Sequence, residues 1–248
     1  MTEHRAATSG FSPFAAALAL VLVSALTAPT PGWATPSARQ VRKPTEIHLA
    51  RLRQYEHYIE YFAGQGYGPS QSRVSPEYIR ALILTESAGQ KFAVSHKGAR
   101  GLTQIMPQTG RMAAAEILAS GVDYDFVDEQ KLVRYNADLL YDPAVNILIA
   151  CYLSSLYHTD YRGSHELVAA AWNAGPGAVA RYGNVTPPYQ ETRGMVARLV
   201  SYLNYFSVEN GFAGRGPRWV DLSHPRWNTA GFNAPGWDTK ASDWDTKF

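Results

Sequence analysis

The sequence contains almost no cysteine, and this limits the chemistry it can support. Cys151 is the only cysteine among 248 residues, which excludes an internal disulfide and a metal site built from several cysteines. Its neighbours in the chain are apolar, so we interpret it as a small buried residue rather than a nucleophile. The seven histidines show no metal-ligand spacing, and we predict neither a metal nor another cofactor.

An excess of charge of one sign is also absent. The chain has 23 basic and 21 acidic residues, a net charge of +2, and no run of lysine and arginine. This balance excludes the electrostatic footprint of a nucleic-acid-binding protein. With 46% hydrophobic residues and a mean hydropathy of −0.24, the composition is typical of a soluble globular protein rather than a disordered, collagen-like or multi-span membrane chain.

The longest apolar run is too short to span a bilayer comfortably. Residues 14–26 (FAAALALVLVSAL) follow Arg5 and precede the small residues around Ala34. This order is typical of a signal peptide, which we predict over residues 1–34 with cleavage before Thr35. A retained membrane anchor is the alternative, although a spanning helix needs about 20 residues. The protein is therefore expected to be exported, and residues 35–45 form a proline-containing, basic linker.

No segment shows the sustained alternation of a strand, whereas apolar residues recur at helical spacing from residue 46 to about 206. Ser75, Asp142 and Ser164 are expected to cap helices, the first two with a proline following. The prediction is a mainly α fold with one helical domain over residues 46–211. Residues 212–248 hold four of the six tryptophans without any period, and we predict an irregular tail. The alternative is a set of aromatic surfaces for sugar rings or a protein partner.

One carboxylate lies among apolar residues. Ile79, Leu82, Ile83 and Glu86 are spaced i, i+3, i+4 and i+7, which places Glu86 on the apolar stripe at the end of its helix. Burial and the helix C-terminus both disfavour negative charge there and raise the pKa. Such a carboxyl suits a general acid near neutral pH. From these local residues alone, a glutamate that reaches water or pairs with a cation is equally consistent.

The segments after Glu86 resolve that ambiguity. Four segments follow in order: residues 86–87 (ES) lead to 101–107 (GLTQIMP), then 142–147 (DPAVNI), then 171–177 (AWNAGPG) and finally 191–192 (ET). Their order and spacing resemble the catalytic domain of the soluble lytic transglycosylases, a family with a lysozyme-like fold related to goose-type lysozyme. The resemblance covers residues 76–206, and several motifs in register are far more specific than one.

The resemblance implies an activity and a set of site residues. Glu86 corresponds to the family's single catalytic carboxyl, which cleaves peptidoglycan between N-acetylmuramic acid and N-acetylglucosamine and leaves a 1,6-anhydro ring. Asn173 would line the cleft, and Gly101 would let backbone approach the ligand. Glu191 would help to hold the site and would contact the peptide-bearing side. The full set of substrate-binding residues implied by the family is Ser87, Ser95, Gly101, Gln104, Met106, Trp172, Asn173 and Glu191.

Three residues depart from the family pattern. Thr103 stands where the family usually has methionine, while Trp172 and Met195 stand where it usually has tyrosine. The first of those tyrosines lies near the catalytic carboxyl, and an indole N–H donates a hydrogen bond but accepts none. The tuning of Glu86 is therefore expected to differ. Residues 111–141 are longer than expected between the motifs, which predicts an extra helix or a flap beside the cleft.

Two other functions remain open at this point. A hydrolytic muramidase would use a second carboxylate from residues 123–128 to activate water. A peptidoglycan-binding protein of an envelope-spanning assembly would have kept the fold and lost efficient catalysis, with Trp172 as the lesion. The expected partners are peptidoglycan strands and, for the tail, an envelope or secretion-machinery protein. No feature of the sequence fixes the oligomeric state, and a monomer is expected.

Overall fold

A computed structural model describes residues 43–209, which are helical with isolated β-bridges and no extended strand. The predicted signal peptide 1–34, most of the linker 35–45 and the tail 212–248 lie outside these residues. The mainly α fold predicted from the apolar spacing is confirmed. In chain order the elements are α1 (Glu46–Arg53), α2 (Glu56–Ala63), α3 (Pro76–Ser87), α4 (Pro107–Ala119), α5 (Glu129–Val133), a 3-10 helix (Ala137–Tyr141), α6 (Pro143–Asp160), α7 (His165–Ala174), α8 (Pro176–Arg181) and α9 (Gln190–Glu209).

Side chains cap three of these helices where the sequence predicts. The N–H of Tyr78 donates to the Ser75 hydroxyl at 3.1 Å, and that of Ala144 donates to the Asp142 carboxylate at 3.0 Å. Ser164 caps α7 in the same manner, and a proline occupies the first turn of α3 and α6. These caps satisfy N–H groups that have no partner inside the helix. They fix where each helix begins.

Helix α6 forms the centre of the core. Residues 144–151 are all buried, so this part of the helix is enclosed by the protein around its whole circumference. Helices α2, α4 and α7 pack against it. Cys151 lies here with no exposed surface, which confirms its predicted burial, and burial raises the pKa of its thiol. Helices α3 and α9 pack against each other beside this core.

Two helix boundaries differ from the sequence pattern. The apolar spacing of residues 49–62 continues without interruption, yet α1 ends at Arg53 and α2 begins at Glu56. Tyr55 occupies the break with its ring buried, so the side chain keeps the apolar spacing while the backbone turns. Similarly, α7 ends before Gly175, and Pro176 immediately begins the short helix α8.

After the end of α4, the segment 111–141 contains the short helix α5 and the 3-10 helix. Tyr124 anchors this segment because its ring is buried and stacks on Tyr67, with ring centroids 6.2 Å apart. The hydroxyl oxygen of Tyr61 on α2 accepts a further hydrogen bond, from the backbone N–H of Asp125 at 2.9 Å. The segment therefore packs against the chain around α2. Among residues 43–209, no helix has the length and apolar character needed to cross a membrane.

Candidate active site

Glu86 lies in the last turn of α3, where the helix packs against α9. Its side chain is half-buried, and burial raises the pKa of its carboxyl to about 8. Two charged groups of α9 act on it: Arg198 lowers this pKa and Glu191 raises it. The predicted direction is confirmed, and desolvation is its main cause. At neutral pH most molecules therefore carry a protonated Glu86.

Glu86 acts on Tyr78, and the titratable groups around Tyr78 stay neutral. Tyr78 of α3 is fully buried, and burial, followed by the charge of Glu86, raises the pKa of its phenol. Burial likewise raises the pKa of Tyr157 on α6 and holds the pKa of His158 well below its usual value. None of these groups supplies a positive charge near pH 7. Among the described residues, Arg198 is the group that lowers the pKa of Glu86 against the effect of burial.

Trp172 uses its indole N–H for a bond to the backbone. Nε1 donates to the backbone carbonyl of Thr103 at 3.2 Å, and the ring meets Tyr157 edge-on at 6.5 Å. An indole has no other donor, so Trp172 has no hydrogen bond left for Glu86. Where the family usually has a tyrosine hydroxyl, this protein therefore has a bond that joins α7 to the turn at residues 101–106.

That turn is held by a buried amide on α6. The Asn146 side-chain oxygen accepts from the Thr103 N–H at 3.0 Å and from its hydroxyl at 2.7 Å. The Asn146 side-chain nitrogen donates to the carbonyls of Leu140 at 2.9 Å and Arg100 at 3.3 Å. A Cβ on Gly101, whose φ is +80°, would lie 2.1 Å from the Leu140 oxygen. Close packing inside the protein thus requires glycine at position 101. The Thr103 hydroxyl bonds Asn146, which a methionine side chain at that position could not do.

Gln104 and Ser95 fold the preceding loop onto this turn. The Gln104 side-chain nitrogen donates to the carbonyls of Ala93 at 3.1 Å and Gly101 at 2.9 Å. The Ser95 hydroxyl accepts from the Ala99 N–H at 3.0 Å. Bridges pair Val94, Arg100 and Ile105 in a small antiparallel arrangement. The two predicted sugar contacts are therefore part of one rigid loop.

The structure places Ser87 and Met106 differently. Ser87 is buried, and its hydroxyl donates back to the Ile83 carbonyl within α3 at 3.2 Å. Met106 is half-buried at the N-cap of α4, beside the turn that holds Gln104. Met195, at the other departure from the family pattern, is buried in the core. Met106 thus lies with the other predicted contacts, whereas Ser87 points into the protein.

Asn173 and Glu191 join the ends of two helices at the site. The Thr192 hydroxyl donates to the Asn173 side-chain oxygen at 2.7 Å and ties the end of α7 to the start of α9. The neighbouring Glu191 side chain is 55% exposed and pairs with Lys97 at 3.8 Å. Because Lys97 belongs to the loop that contains Ser95, this pair connects that loop to α9.

Sequence reasoning missed three residues of this site: Asn146, Lys97 and Arg198. The motif at residues 142–147 marks Asn146 by its place in the pattern, yet three of its four hydrogen bonds are made to the distant residues 100–103. Lys97 and Arg198 resemble ordinary surface cations in the sequence. A polar residue in an otherwise apolar helix was the one available signal, and it pointed to Asn146.

Comparison with known proteins relates this geometry to one family. A family profile described as the transglycosylase SLT domain matches residues 67–191, half of the chain. The soluble lytic murein transglycosylase of Salmonella typhimurium is 30% identical over 145 residues, covering 54% of this chain and 21% of that protein. The soluble lytic murein transglycosylase of Escherichia coli (strain K12) is 28% identical over 149 residues, covering 55% and 21%.

A solved structure shares the arrangement of helices. The crystal structure of the 70 kDa soluble lytic transglycosylase from Escherichia coli aligns with a TM-score of 0.51 and 25% sequence identity. The alignment covers 63% of this chain and 24% of that one. Across these comparisons the chain spans a fifth to a quarter of the length of the proteins it matches.

Proposed function

The chain belongs to the transglycosylase SLT domain family, and from this we propose that it is a peptidoglycan lytic transglycosylase. The reaction would cleave the β-1,4 bond between N-acetylmuramic acid and N-acetylglucosamine without water and leave 1,6-anhydro-N-acetylmuramic acid ends. Glu86 would act first as general acid and then as general base. The observation that carries this proposal is the half-buried Glu86, whose carboxyl has its pKa raised to about 8 by burial.

In this reaction Glu86 donates one proton and later accepts one. Protonated Glu86 donates its proton to the glycosidic oxygen as the bond from that oxygen to C1 breaks. The N-acetyl group of the same sugar stabilises the positive charge at C1. The Glu86 carboxylate then accepts the proton of the sugar's own C6 hydroxyl while the C6 oxygen bonds to C1. Glu86 ends protonated, so neither a water molecule nor a second carboxylate enters the reaction.

The raised pKa suits both steps. A carboxyl with a pKa of about 8 keeps its proton at neutral pH. It is still acidic enough to give that proton to a leaving oxygen, because the carboxylate that remains is a far weaker base than hydroxide. Once ionised, it lies in a desolvated site, where a carboxylate is a stronger base than in water. Matching the pKa to the working pH is the usual condition for one group to serve as acid and base.

The binding residues would line one cleft around this acid. The loop and turn that hold Ser95, Gly101, Gln104 and Met106 would contact the sugar rings, with Asn173 and Trp172 on the opposite helix α7. Glu191 at the start of α9 would hold the peptide-bearing side. Support comes from the bonds that connect these elements, from Trp172 to Thr103 and from Thr192 to Asn173. Ser87 would support the site from inside α3 through its bond to Ile83.

Digestion of purified murein tests this proposal. Products of the wild-type protein would be analysed by mass spectrometry beside those of Glu86→Gln and of Glu77→Gln, a matched control on the same helix that pairs with Arg80. We expect anhydro ends, lighter by one water than reducing ends, from the wild type and from Glu77→Gln only. Equal release by wild type and Glu86→Gln would contradict an enzymatic function and favour a binding protein.

The same digest separates transglycosylation from hydrolysis. A muramidase would require a second carboxylate beside Glu86, and Asp123, Asp125 and Asp128 were the predicted candidates. The carboxylate that acts on Glu86 among the described residues is Glu191, on α9. Reducing ends in the digest, with incorporation of labelled oxygen from water, would establish hydrolysis instead.

We further propose that the protein is exported to the cell envelope, where its glycan substrate lies. Export would follow from the predicted signal peptide at residues 1–34. Fractionation of cells that express the full chain, with N-terminal sequencing of the product, tests this. A mature protein that begins at Thr35 in the envelope fraction is the expected result, and an intact chain in the cytoplasm would contradict it.

A further inference from the structure

An open pocket of about 430 Å³ lies beside the first two turns of α4. This helix directly follows Met106, one of the predicted sugar contacts. A pocket of this size accommodates a small ligand. The residues that line it come from α4 and from the chain around the start of the 3-10 helix: Pro107, Gln108, Arg111, Met112, Tyr135 and Ala137.

Tyr135 forms one wall of the pocket and is fixed against α4. Its hydroxyl donates to the Pro107 carbonyl at 3.0 Å. A Cβ at Gly110 would lie 2.4 Å from that hydroxyl oxygen, so only glycine allows the ring to lie this close to the helix. Tyr135 belongs to the segment 111–141, which is longer than expected between the motifs. The extra residues of this chain therefore supply this wall.

Arg111 brings a positive charge to the pocket. Its guanidinium carbon lies over the Tyr135 ring, 5.8 Å from the ring centroid. Within residues 43–209, no carboxylate oxygen lies within 4 Å of its nitrogens. The positions one turn away from it on α4 are uncharged: Pro107, Gln108, Ala114 and Ala115.

The acidic residues that follow Tyr135 in the chain are bound to other cations. Asp138 pairs with Arg100 at 2.5 Å, and Asp142 pairs with Lys131 at 3.7 Å. The charge of Arg111 is therefore not neutralised by an ion pair inside the described part of the protein. A guanidinium in this situation suits an external carboxylate, which two of its N–H groups can bond at once.

We propose, on the basis of the function above, that this pocket binds the acidic peptide stem carried by N-acetylmuramic acid, with Arg111 holding a carboxylate of the stem. The exposed amide of Gln108 would bond the peptide backbone, and Met112 and Ala137 would contact its apolar groups. Each N-acetylmuramic acid of a strand can carry a stem, so this contact is additional to the one proposed for Glu191. The pocket would favour peptide-bearing strands over bare glycan.

Titration of the full chain with a free stem peptide tests the pocket without catalysis. The ligand used is the acidic tripeptide alanyl-γ-glutamyl-diaminopimelate, and its control is the same tripeptide with amidated carboxyl groups. Backbone amide NMR signals of Gln108, Arg111 and Met112 should shift with the acidic tripeptide. Amidation should weaken binding about tenfold, as the loss of a hydrogen-bonded charge does.

Three arginine variants assign that binding to one side chain. Arg111 is exposed, so its replacement should leave the fold intact. Arg111→Gln should weaken binding of the acidic tripeptide about tenfold, and Arg111→Lys, which keeps the charge without the paired donors, should retain part of the affinity. Arg134→Gln removes an exposed arginine of the same segment that does not line the pocket, and it should bind as the wild type does.

Activity on two soluble substrates completes the test: peptide-bearing strands, and the same strands stripped of peptide by an amidase. The ratio of kcat/KM on peptide-bearing strands to that on stripped strands should fall about tenfold in Arg111→Gln, through KM. Arg134→Gln should keep the wild-type ratio. A wild-type ratio in Arg111→Gln, or unchanged tripeptide binding by it, would overturn the peptide site alone. A wild type that binds the tripeptide through Arg111 yet releases no anhydro ends would contradict the proposed function alone.

Discussion

At Glu86, the burial that retains the proton also lowers stability once the proton is lost. The folded pKa of about 8 lies above the ordinary value of 4.5. The folded state therefore binds the proton more tightly than the unfolded state does, and stability falls as pH rises from about 4.5 through about 8. We expect Glu86→Gln, which cannot ionise, to abolish activity and to match or exceed wild-type stability at pH 7 by roughly 1–3 kcal/mol.

Urea unfolding of both proteins between pH 5 and 9 measures this difference. The free energy of unfolding of Glu86→Gln should exceed that of the wild type increasingly toward alkaline pH. Wild-type activity should fall above pH 8 as the protonated acid is depleted. A Glu86→Gln protein that unfolds more readily at pH 7 would show that Glu86 is ionised and structural.

Gly101 is a position where even one added methyl group would overlap with neighbouring atoms. A Cβ there would lie 2.1 Å from the Leu140 carbonyl oxygen and 2.4 Å from the Asn146 side-chain nitrogen, at a positive φ. Gly101→Ala should therefore cost about 3 kcal/mol or more, from steric overlap added to backbone strain. Gly98→Ala is the matched control, because Gly98 has a similar φ of +86° and nothing within 4 Å of its Cβ position.

The Gly98 control should cost only about 1–2 kcal/mol, which is the backbone term alone. Thermal or urea unfolding of the two variants gives the difference. Equal losses would show that the turn opens easily and that the bonds of Asn146 do not hold it.

At the scale of elements, two histidines join α6 to α7 beside α3. The rings of His158 and His165 meet edge-on with centroids 5.2 Å apart, and both contact the ring of Tyr78. Burial lowers the pKa of His165 to about 4 and that of His158 well below 6.5. The unfolded chain therefore binds more protons than the folded one below pH 6.5, and these helices should separate more easily in acid.

We expect the two histidines to remove on the order of 1–3 kcal/mol of stability as pH falls from about 6.5 to 4. His165→Gln should flatten that part of the pH dependence of urea unfolding, whatever its effect at neutral pH. His96→Gln, at an exposed position in the loop, serves as the control and should keep the wild-type slope. An unchanged slope in His165→Gln would show that this contact is solvated.

Local signals predicted the elements well. Ser75, Asp142 and Ser164 cap helices because a short polar side chain before a helical pattern satisfies free N–H groups without help from the rest of the fold. The break at Tyr55 escaped prediction because its ring preserves the apolar spacing across the turn. At the start of α8, a proline after a glycine marks the end of one helix and equally the first turn of another, so residues 175–177 are consistent with both.

The residues of the candidate site also fall into those that the local sequence predicts and those that it does not. The position of Glu86 on an apolar stripe predicted its raised pKa, since burial follows from helical spacing. Asn146 bonds Thr103, and Arg198 lowers the pKa of Glu86, across long separations in the chain that no local pattern encodes. The family resemblance supplied the identity of site residues but not the reason for Gly101, which is an internal contact.

At the scale of the whole molecule, residues 43–209 already enclose a core. Leu199, Leu203 and Phe206 of α9 are buried, and α9 closes the packing against α3 and α7. Deleting residues 212–248 should therefore change Tm by no more than about 2–4 °C, which is what roughly 1 kcal/mol does in a domain of this size. Calorimetry of the truncated chain measures it.

A chain that ends at residue 198 is the matching control. It lacks these buried side chains of α9 and should not fold cooperatively. A large drop in Tm on removing residues 212–248 alone would show that the tryptophan-rich segment belongs to the core.

Because Cys151 is buried on the central helix α6, its reaction with a thiol reagent can measure how often the core opens. A thiol reagent reaches that sulfur only when α6 is exposed, and the chain offers no other thiol to react. The labelling rate in native buffer therefore reports how often the core opens, and its ratio to the rate for unfolded protein gives the free energy of that opening. Bound glycan strands should slow the labelling in proportion to their occupancy, since a ligand that prefers the folded state makes opening rarer.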